Sequence, residues 1–247
     1  MKANIETWNE IASTYTDWIK EGDVGKVLYS TLLNALFNSL GDLKGKTVLD
    51  LGCGDGILSK VFRGQNANVF AIDGSSKMID IAKANAKNEN IDFRVGDISE
   101  KLPYEDESFD VVVCNMVLMY CENVFEIITE VSRILKPNGK FIFSVVHPCF
   151  TGEWESTSKG EPSLVFKNNY NEKYKYEKKL GNSFDKPCLY INRPIQDYMT
   201  TLIKNKFSII DFIETNISKD NLENEAISFP LRYNFSSNHL VISSAKS

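Results

Sequence analysis

The sequence predicts an α/β protein built on a doubly wound, mostly parallel sheet, and three observations carry that reading. From residue 47 almost to the C-terminus, short apolar runs alternate with stretches of helical period. The connections between them are short, which suits strand–helix–strand crossovers. The first run empties directly into Gly52, Gly54 and Gly56, a strand, turn and helix start of the kind that brings backbone close to a ligand.

Before the alternation begins, Trp8, Ile11, Ala12, Tyr15 and Ile19 recur at helical spacing within residues 6 to 20, and a second helix is expected from Lys26 to Phe37. Residues 1–40 are thus expected to form an N-terminal helical cap. Trp8 and Tyr15 either pack on the core or reach over a pocket, because amphipathic aromatics suit both places.

The first strand covers Thr47 to Leu51, broken only by Asp50, and helical period resumes at Ile57, Leu58, Val61 and Phe62. Asn68 to Asp73 is the second strand, after which Ser75 or Ser76 caps a helix bearing Met78, Ile79, Ile81 and Ala82. Ile91 to Asp97 is the third strand. Phe109 to Asn115 is the fourth, its Val111 to Val113 run reading as buried on both faces. A helix from Val124 to about Leu135 stops at Lys136-Pro-Asn-Gly139, and the fifth strand follows from Lys140 to Val146.

Residues 148–192 interrupt the rhythm with Pro148, Gly152, Gly160, Pro162, Gly181 and Pro187, too long for an ordinary connection. Their aromatics, among them Phe166, Tyr170, Tyr174, Tyr176, Phe184 and Tyr190, favour an ordered lid over a disordered loop. Arg193-Pro194 then opens a helix with Tyr198, Met199 and Leu202 on one stripe, and Phe207 to Ile213 is the sixth strand. No clear helix separates Phe229-Pro-Leu-Arg232 from the last strand, His239 to Ser244, so that strand is expected to insert antiparallel beside the fifth. Neither an internal repeat nor a second core is evident, and residues 1–247 read as one domain.

Composition narrows the function. A net charge of −5 argues against a nucleic-acid partner. No apolar run approaches the roughly 20 residues of a membrane span, and the N-terminus shows no targeting pattern, so no membrane and a cytoplasmic location are expected. Five scattered cysteines and two histidines offer neither a disulfide framework nor a metal site.

In a doubly wound sheet, ligands bind outside the carboxyl ends of the strands. Those ends carry Asp50 with the glycines, Asp73, Gly96-Asp97, Asn115 and His147. The glycine spacing is G-x-G-x-G, shorter than the G-x-G-x-x-G of dinucleotide sites. A carboxylate at Asp50 suits a ligand end bearing an ammonium group better than one bearing phosphates.

These residues resemble the class I S-adenosylmethionine-dependent methyltransferases. Val48-Leu-Asp-Leu-Gly-Cys-Gly-Asp-Gly56 is similar to their first motif and Ala71-Ile-Asp-Gly-Ser-Ser-Lys-Met78 to their second-strand acid and turn. Gly96-Asp97-Ile98, Phe109 to Asn115 and Leu135 to Lys140 complete the series. The resemblance implies a Rossmann-like sheet of seven strands and S-adenosyl-L-methionine as cofactor, with S-adenosyl-L-homocysteine as product. It further implies that Gly52, Cys53 and Gly54 meet the methionine part and that Asp50 orients its amino end. Asp73 and Gly74 would meet the ribose, Met78 the adenine face, and Gly96, Asp97 and Ile98 the adenine edge. Asn115 and Met116 would lie near the methionine amine, with Tyr15 folded over the cofactor as in the entry helix of many relatives.

Each role competes with a plainer one. Asp50, Asp73 and Asp97 are also good cap or turn residues, Met78 is a common core residue, and Cys53 has nothing nearby in sequence to activate it. His147 is the candidate general base, or else a residue capping its strand. Acceptor contacts are expected from Met119, Tyr120, Phe150, Trp154, Tyr190, Arg193 and Tyr198, aromatic walls with a few polar groups. The expected activity is methyl transfer to an O, N or C atom of a small molecule by a monomer or homodimer. An RNA or protein methyltransferase and a non-catalytic cofactor-binding regulator are the alternatives.

Overall fold

A computed structural model of the chain describes residues 2–21, 23–151, 153–181, 183–217 and 237–247. The Phe229 to Arg232 stretch lies outside them. Two helices lead, α1 (Lys2–Glu21) and α2 (Asp23–Leu40). The alternation then runs β1 (Thr47–Leu51), α3 (Ile57–Gly64), β2 (Asn68–Asp73), α4 (Ser76–Asn85), β3 (Ile91–Val95), β4 (Phe109–Asn115), α5 (Val124–Ile134) and β5 (Leu135–Val146).

The insertion holds two hairpins, β6 (Glu153–Ser156) with β7 (Pro162–Val165), and β8 (Tyr174–Lys178) with β9 (Cys188–Asn192). Helix α6 (Ile195–Lys204), β10 (Phe207–Thr215) and β11 (His239–Lys246) close the described chain.

Seven strands form one sheet in the order β10-β11-β5-β4-β1-β2-β3. β11 runs antiparallel to both β5 and β10, and the pairs β5–β4, β4–β1, β1–β2 and β2–β3 are parallel. The expected antiparallel insertion of the last strand is therefore observed. From β1 the chain winds outward to β3, then crosses back to β4 on the other side of β1. That reversal opens a crevice at the carboxyl ends of β1 and β4, where a doubly wound sheet binds ligands.

Alternate side chains of the central strands feed two cores. Val111 and Val113 of β4 face Leu32, Leu36, Leu58 and Phe62 of α2 and α3. Val112 and Cys114 face Ile127, Val131, Tyr198 and Leu202 of α5 and α6. A strand buried on both sides needs this unbroken apolar run.

Some boundaries move. β5 starts at Leu135 because Lys136 to Gly139 bulge out between the pairs Phe109–Leu135 and Val111–Lys140, with Asn138 in the left-handed region at φ 63°. β3 stops at Val95, leaving Gly96 and Asp97 in the turn. Among the described residues, no helix is long and apolar enough to cross a membrane, and no group of three metal-ligating side chains forms.

Candidate active site

The loop after β1 is held by its own backbone. Gly52 and Cys53 N–H groups both donate to the Ile72 carbonyl of β2, at 2.8 and 3.1 Å. Gly52 sits at φ 78°, and a Cβ there would lie 2.5 Å from Val117 Cγ2, so conformation and space both demand glycine. Gly54, at φ 53°, has open space around it and donates its N–H to Asp73 Oδ2 at 2.9 Å. The other Asp73 oxygen accepts from Ser75 N–H at 2.8 Å. One carboxylate thus fixes the turns after both β1 and β2 while still facing the crevice.

A cavity of about 100 Å³ lies above these turns. Its walls are Gly52, Gly54, Asp73, Gly74, Ser75, Met78 and Ile98 on one side and Asn115, Met116, Val117 and Tyr120 on the other. Helix α1 covers it with Asn4, Ile5, Trp8 and Tyr15. A smaller cavity of about 50 Å³ continues beneath the glycine loop, lined by Tyr29, Asp50, Cys53, Asp55 and Leu58 and sharing Tyr15, Gly52, Gly54 and Asn115 with the first.

The two spaces differ in polarity. Asp50, 2% exposed, accepts from Ser59 Oγ at 2.6 Å. Burial pushes its carboxyl up to about 7, the Ser59 bond opposes that rise, and the Asp73 and Asp55 carboxylates add to it. Burial also raises Asp73, against the lowering by the Ser75 and Gly54 amides. Burial holds the Tyr15 and Cys53 side chains protonated, which rules out a thiolate nucleophile at Cys53. Among the described residues, no lysine or arginine lines either cavity. Clustered buried carboxylates without a protein cation call for a cationic ligand. An amino acid joined to a nucleoside through a sulfonium carries two positive centres, and the donor set fits it.

Above that polar floor the walls are aromatic. Trp8 meets Tyr15 and Tyr120 edge-on, with centroids 5.1 and 5.4 Å apart. Tyr120 OH and Tyr190 OH are hydrogen-bonded at 3.0 Å, and Tyr176 stacks on Tyr190 at 5.3 Å.

The structure brings Tyr15, Asp50, Gly52, Cys53, Gly54, Asp73, Gly74, Met78, Ile98, Asn115, Met116 and Tyr120 together around the two cavities. Gly96 and Asp97 stand outside the lining. The Gly96 N–H donates to the Asp73 carbonyl, and Asp97 Oδ1 accepts from Ser99 N–H and Oγ–H, which is turn-capping geometry. Tyr190 stands one layer behind Tyr120.

Among the described side chains, those expected after β5 as base or acceptor contacts lie outside the lining of both cavities. His147 is 1% exposed, its Nδ1 accepts from Cys149 N–H at 3.2 Å, and its Nε2 pairs with Glu214 Oε1 at 2.6 Å. Both ring nitrogens are engaged and the ring does not line the cavity, so it has no free lone pair to act as base there. Phe150 packs on that imidazole, with centroids 4.8 Å apart. Arg193 is buried, donating from Nη1 to the Leu118 carbonyl at 2.9 Å and from Nη2 to the Cys121 carbonyl, with its guanidinium over the Tyr198 ring. Tyr198 packs on Phe143 in the core, and Met119 is buried away from the cavity. Trp154 lies on β6, and its side chain is outside the description.

Sequence reasoning did not single out Asn4, Ile5, Val117, Tyr29 or Asp55 as lining residues, and it named Ser75 only as a cap. Asp55 sits inside the glycine motif and was legible there. Asn4 carried no local signal, since its partners are 116 and 185 residues away.

Residues 49–143 match the family described as a methyltransferase domain. The mitochondrial ubiquinone biosynthesis O-methyltransferase of Schizosaccharomyces pombe is 31% identical over 151 residues, 58% of this chain and 54% of that protein. The ubiquinone biosynthesis O-methyltransferase of Coxiella burnetii is 36% identical over 110 residues, 44% of this chain and 47% of that protein. The chain thus spans about half the length of these curated relatives.

Among solved structures, a Listeria monocytogenes protein assigned as an S-adenosylmethionine-dependent methyltransferase superposes with a TM-score of 0.77 at 26% identity, over 88% of this chain and 97% of its own. A methyltransferase of the same kind from Mesorhizobium loti shares the fold, with a TM-score of 0.75 at 23% identity over 87% of this chain and 98% of its own. Sheet order, motif positions and these relatives support a class I S-adenosylmethionine-dependent methyltransferase.

Proposed function

We propose that the protein transfers a methyl group from S-adenosyl-L-methionine to an oxygen atom of a small-molecule acceptor. The observation that carries this reading is the paired cavity, in which a carboxylate-lined recess runs under the glycine loop into an aromatic chamber closed by α1. The oxygen acceptor is taken from the O-methyltransferase relatives. The enclosed aromatic walls support a small molecule over a polymer.

Bound cofactor supplies an electrophilic methyl group, so the protein's task is binding and alignment for an in-line displacement. Asp73 faces the cavity with its geometry fixed by the Gly54 and Ser75 amides, and is suited to accept from a ribose diol. Asp50, in the recess, provides the negative charge for an α-ammonium group. Met78 and Ile98 offer apolar faces to a base, and Trp8, Tyr15 and Tyr120 exclude water from the methyl's path.

Tyr15 and Tyr120 stay protonated because burial holds both phenols well above their usual range. They therefore do not take the acceptor's proton, and the Tyr120 hydroxyl is already donated to Tyr190 Oη. Asp73 is the only carboxylate lining the larger cavity among the described residues, and it is committed to two amides. The acceptor's proton accordingly leaves to water, or the acceptor enters ionised.

Two measurements test the assignment. Calorimetric titration should show S-adenosyl-L-homocysteine binding to the full chain, and incubating a metabolite extract with isotope-labelled cofactor should give a product heavier by one labelled methyl group. Absence of binding at millimolar ligand would sink the reading, while binding without any labelled product would favour a non-catalytic cofactor sensor.

A further inference from the structure

Asn4 occupies an unusual position, at the start of the helix that covers the cofactor cavity and yet bonded to two remote segments. It is 5% exposed. Its Nδ2 donates to the Tyr120 carbonyl at 3.0 Å and to the Leu189 carbonyl at 2.9 Å, and its Oδ1 accepts from the Leu189 N–H at 3.1 Å. A primary amide has two donor hydrogens and one acceptor oxygen, and here both kinds of group are used.

Leu189 is the second of the five residues, 188–192, that pair β9 with β8, and it lies opposite Glu177. Alternate residues of an antiparallel ladder turn their backbone groups outward. The Asn4 side chain meets those outward groups as a neighbouring strand would, pairing with the half-buried Leu189 N–H and C=O. The two residues it bonds frame the hydrogen-bonded Tyr120–Tyr190 pair, since Leu189 directly precedes Tyr190.

The same helix is anchored at the cofactor end. Asn9 Oδ1 accepts from Ser75 Oγ at 2.8 Å and from Lys77 N–H at 3.2 Å, and Ile5 lies so close over Gly74 that a Cβ there would be 2.8 Å away. Helix α1 therefore touches the ribose turn through Ile5 and Asn9 and the aromatic wall through Asn4. These residues fall within two turns of one helix, so they move together.

We infer that Asn4 is a positioning residue that seats the Tyr120–Tyr190 wall against α1, so that fixing α1 over the cofactor also fixes the acceptor wall carried by β9. The inference rests on the cofactor reading above and adds a consequence that reading does not require. Cofactor binding and order in the β8–β9 hairpin are coupled, and the acceptor meets a finished wall only after the cofactor is in place.

Amide hydrogen exchange on the full chain tests this with S-adenosyl-L-homocysteine as the probe. With the ligand at about 100 times its Kd, openings that destroy the site should be suppressed about 100-fold. In the wild type that slowing should reach both α1 and the β9 amides, Leu189 included. In Asn4→Leu, which keeps the buried volume, α1 and the glycine loop should still be slowed while β9 changes by less than about twofold.

A merely structural role would speed β9 exchange equally with and without ligand. Ligand-dependent slowing of β9 that persists in Asn4→Leu would overturn the inference. Should the variant fail to fold, the wild type decides alone, because slowing in α1 without slowing in β9 also overturns it. No binding of the ligand to the wild type brings down the cofactor reading as well, whereas binding without coupling removes only this inference.

Discussion

The two ends of the crevice recognise by different physics. At the glycine loop, Asp50 and Asp55 line the recess beneath it and Asp73 the adjoining cavity above, and among the described residues no basic side chain lines either. Across from them, Trp8, Tyr15, Tyr120 and Tyr190 present ring faces and edges at centroid separations of about 5 Å. The first end suits a cation, because burial makes its charge costly to leave uncompensated. The second selects by shape, through rings whose hydroxyls bond to each other. Charge recognition needs only a few groups close together in the chain. Shape recognition needs walls from α1, the turn after β4 and the insertion to arrive together.

Experiments can break that contrast, beginning with the charged end. Asp73→Ala removes a carboxylate that holds two amides and faces the ligand. It should weaken S-adenosyl-L-homocysteine binding about 100-fold or more, equivalent to about 3 kcal/mol by calorimetry. A loss under tenfold would mean that charge is not what this end recognises.

At the aromatic end, Arg193 is read as a tie for the turn carrying Tyr120 and not as an acceptor contact. Arg193→Met should lower unfolding free energy by about 2 kcal/mol, because it strands the buried Leu118 and Cys121 carbonyls. Ligand affinity of the folded fraction should hold. A variant of unchanged stability but altered acceptor KM would return Arg193 to the site.

The Asp50 carboxyl, raised to about 7 by burial, gives the charged end a pH signature. The ammonium end of the ligand favours the ionised form, so binding releases a proton below that pH. Affinity should fall by up to about tenfold per pH unit below 7 and level off above it, a dependence that Asp50→Asn should flatten. A slope unchanged in that variant would place the titrating group elsewhere.

The smallest effect is expected at His147. General-base catalysis is worth about 100-fold or more, so His147→Gln should leave turnover within about twofold if the ring is structural. Burial lowers its pKa, opposed by Glu214, and burial together with His147 lowers His239 to about 4. Below the ordinary histidine pKa of about 6.5, the unfolded chain takes protons before the folded one does, so stability should decline as pH falls from there towards about 4. His147→Gln should make that decline shallower in a denaturant titration. A large loss of turnover with intact ligand binding would restore the ring as a base.

The sequence alone determined the sheet, its winding and the polar end of the crevice. Strand 47–51 and the residues after it form a unit in which an apolar run buried on both faces, a glycine turn and a following helix are all neighbours in the chain. Asp73 was legible for the same reason, because its partners Gly54 and Ser75 belong to turns that the glycines and serines announce.

Tertiary structure alone decided what the residues after β5 do. His147, Phe150, Arg193 and Tyr198 had the composition of a pocket wall, yet burial and partners such as Glu214 and the Leu118 carbonyl made them part of the scaffold. Asn4, with nothing local to mark it, became a lining residue through bonds spanning 116 and 185 positions. Backbone conformation is set by near neighbours, and so is readable from spacing. The partner of a buried polar side chain is set by how separate elements pack, and no spacing along the chain records it.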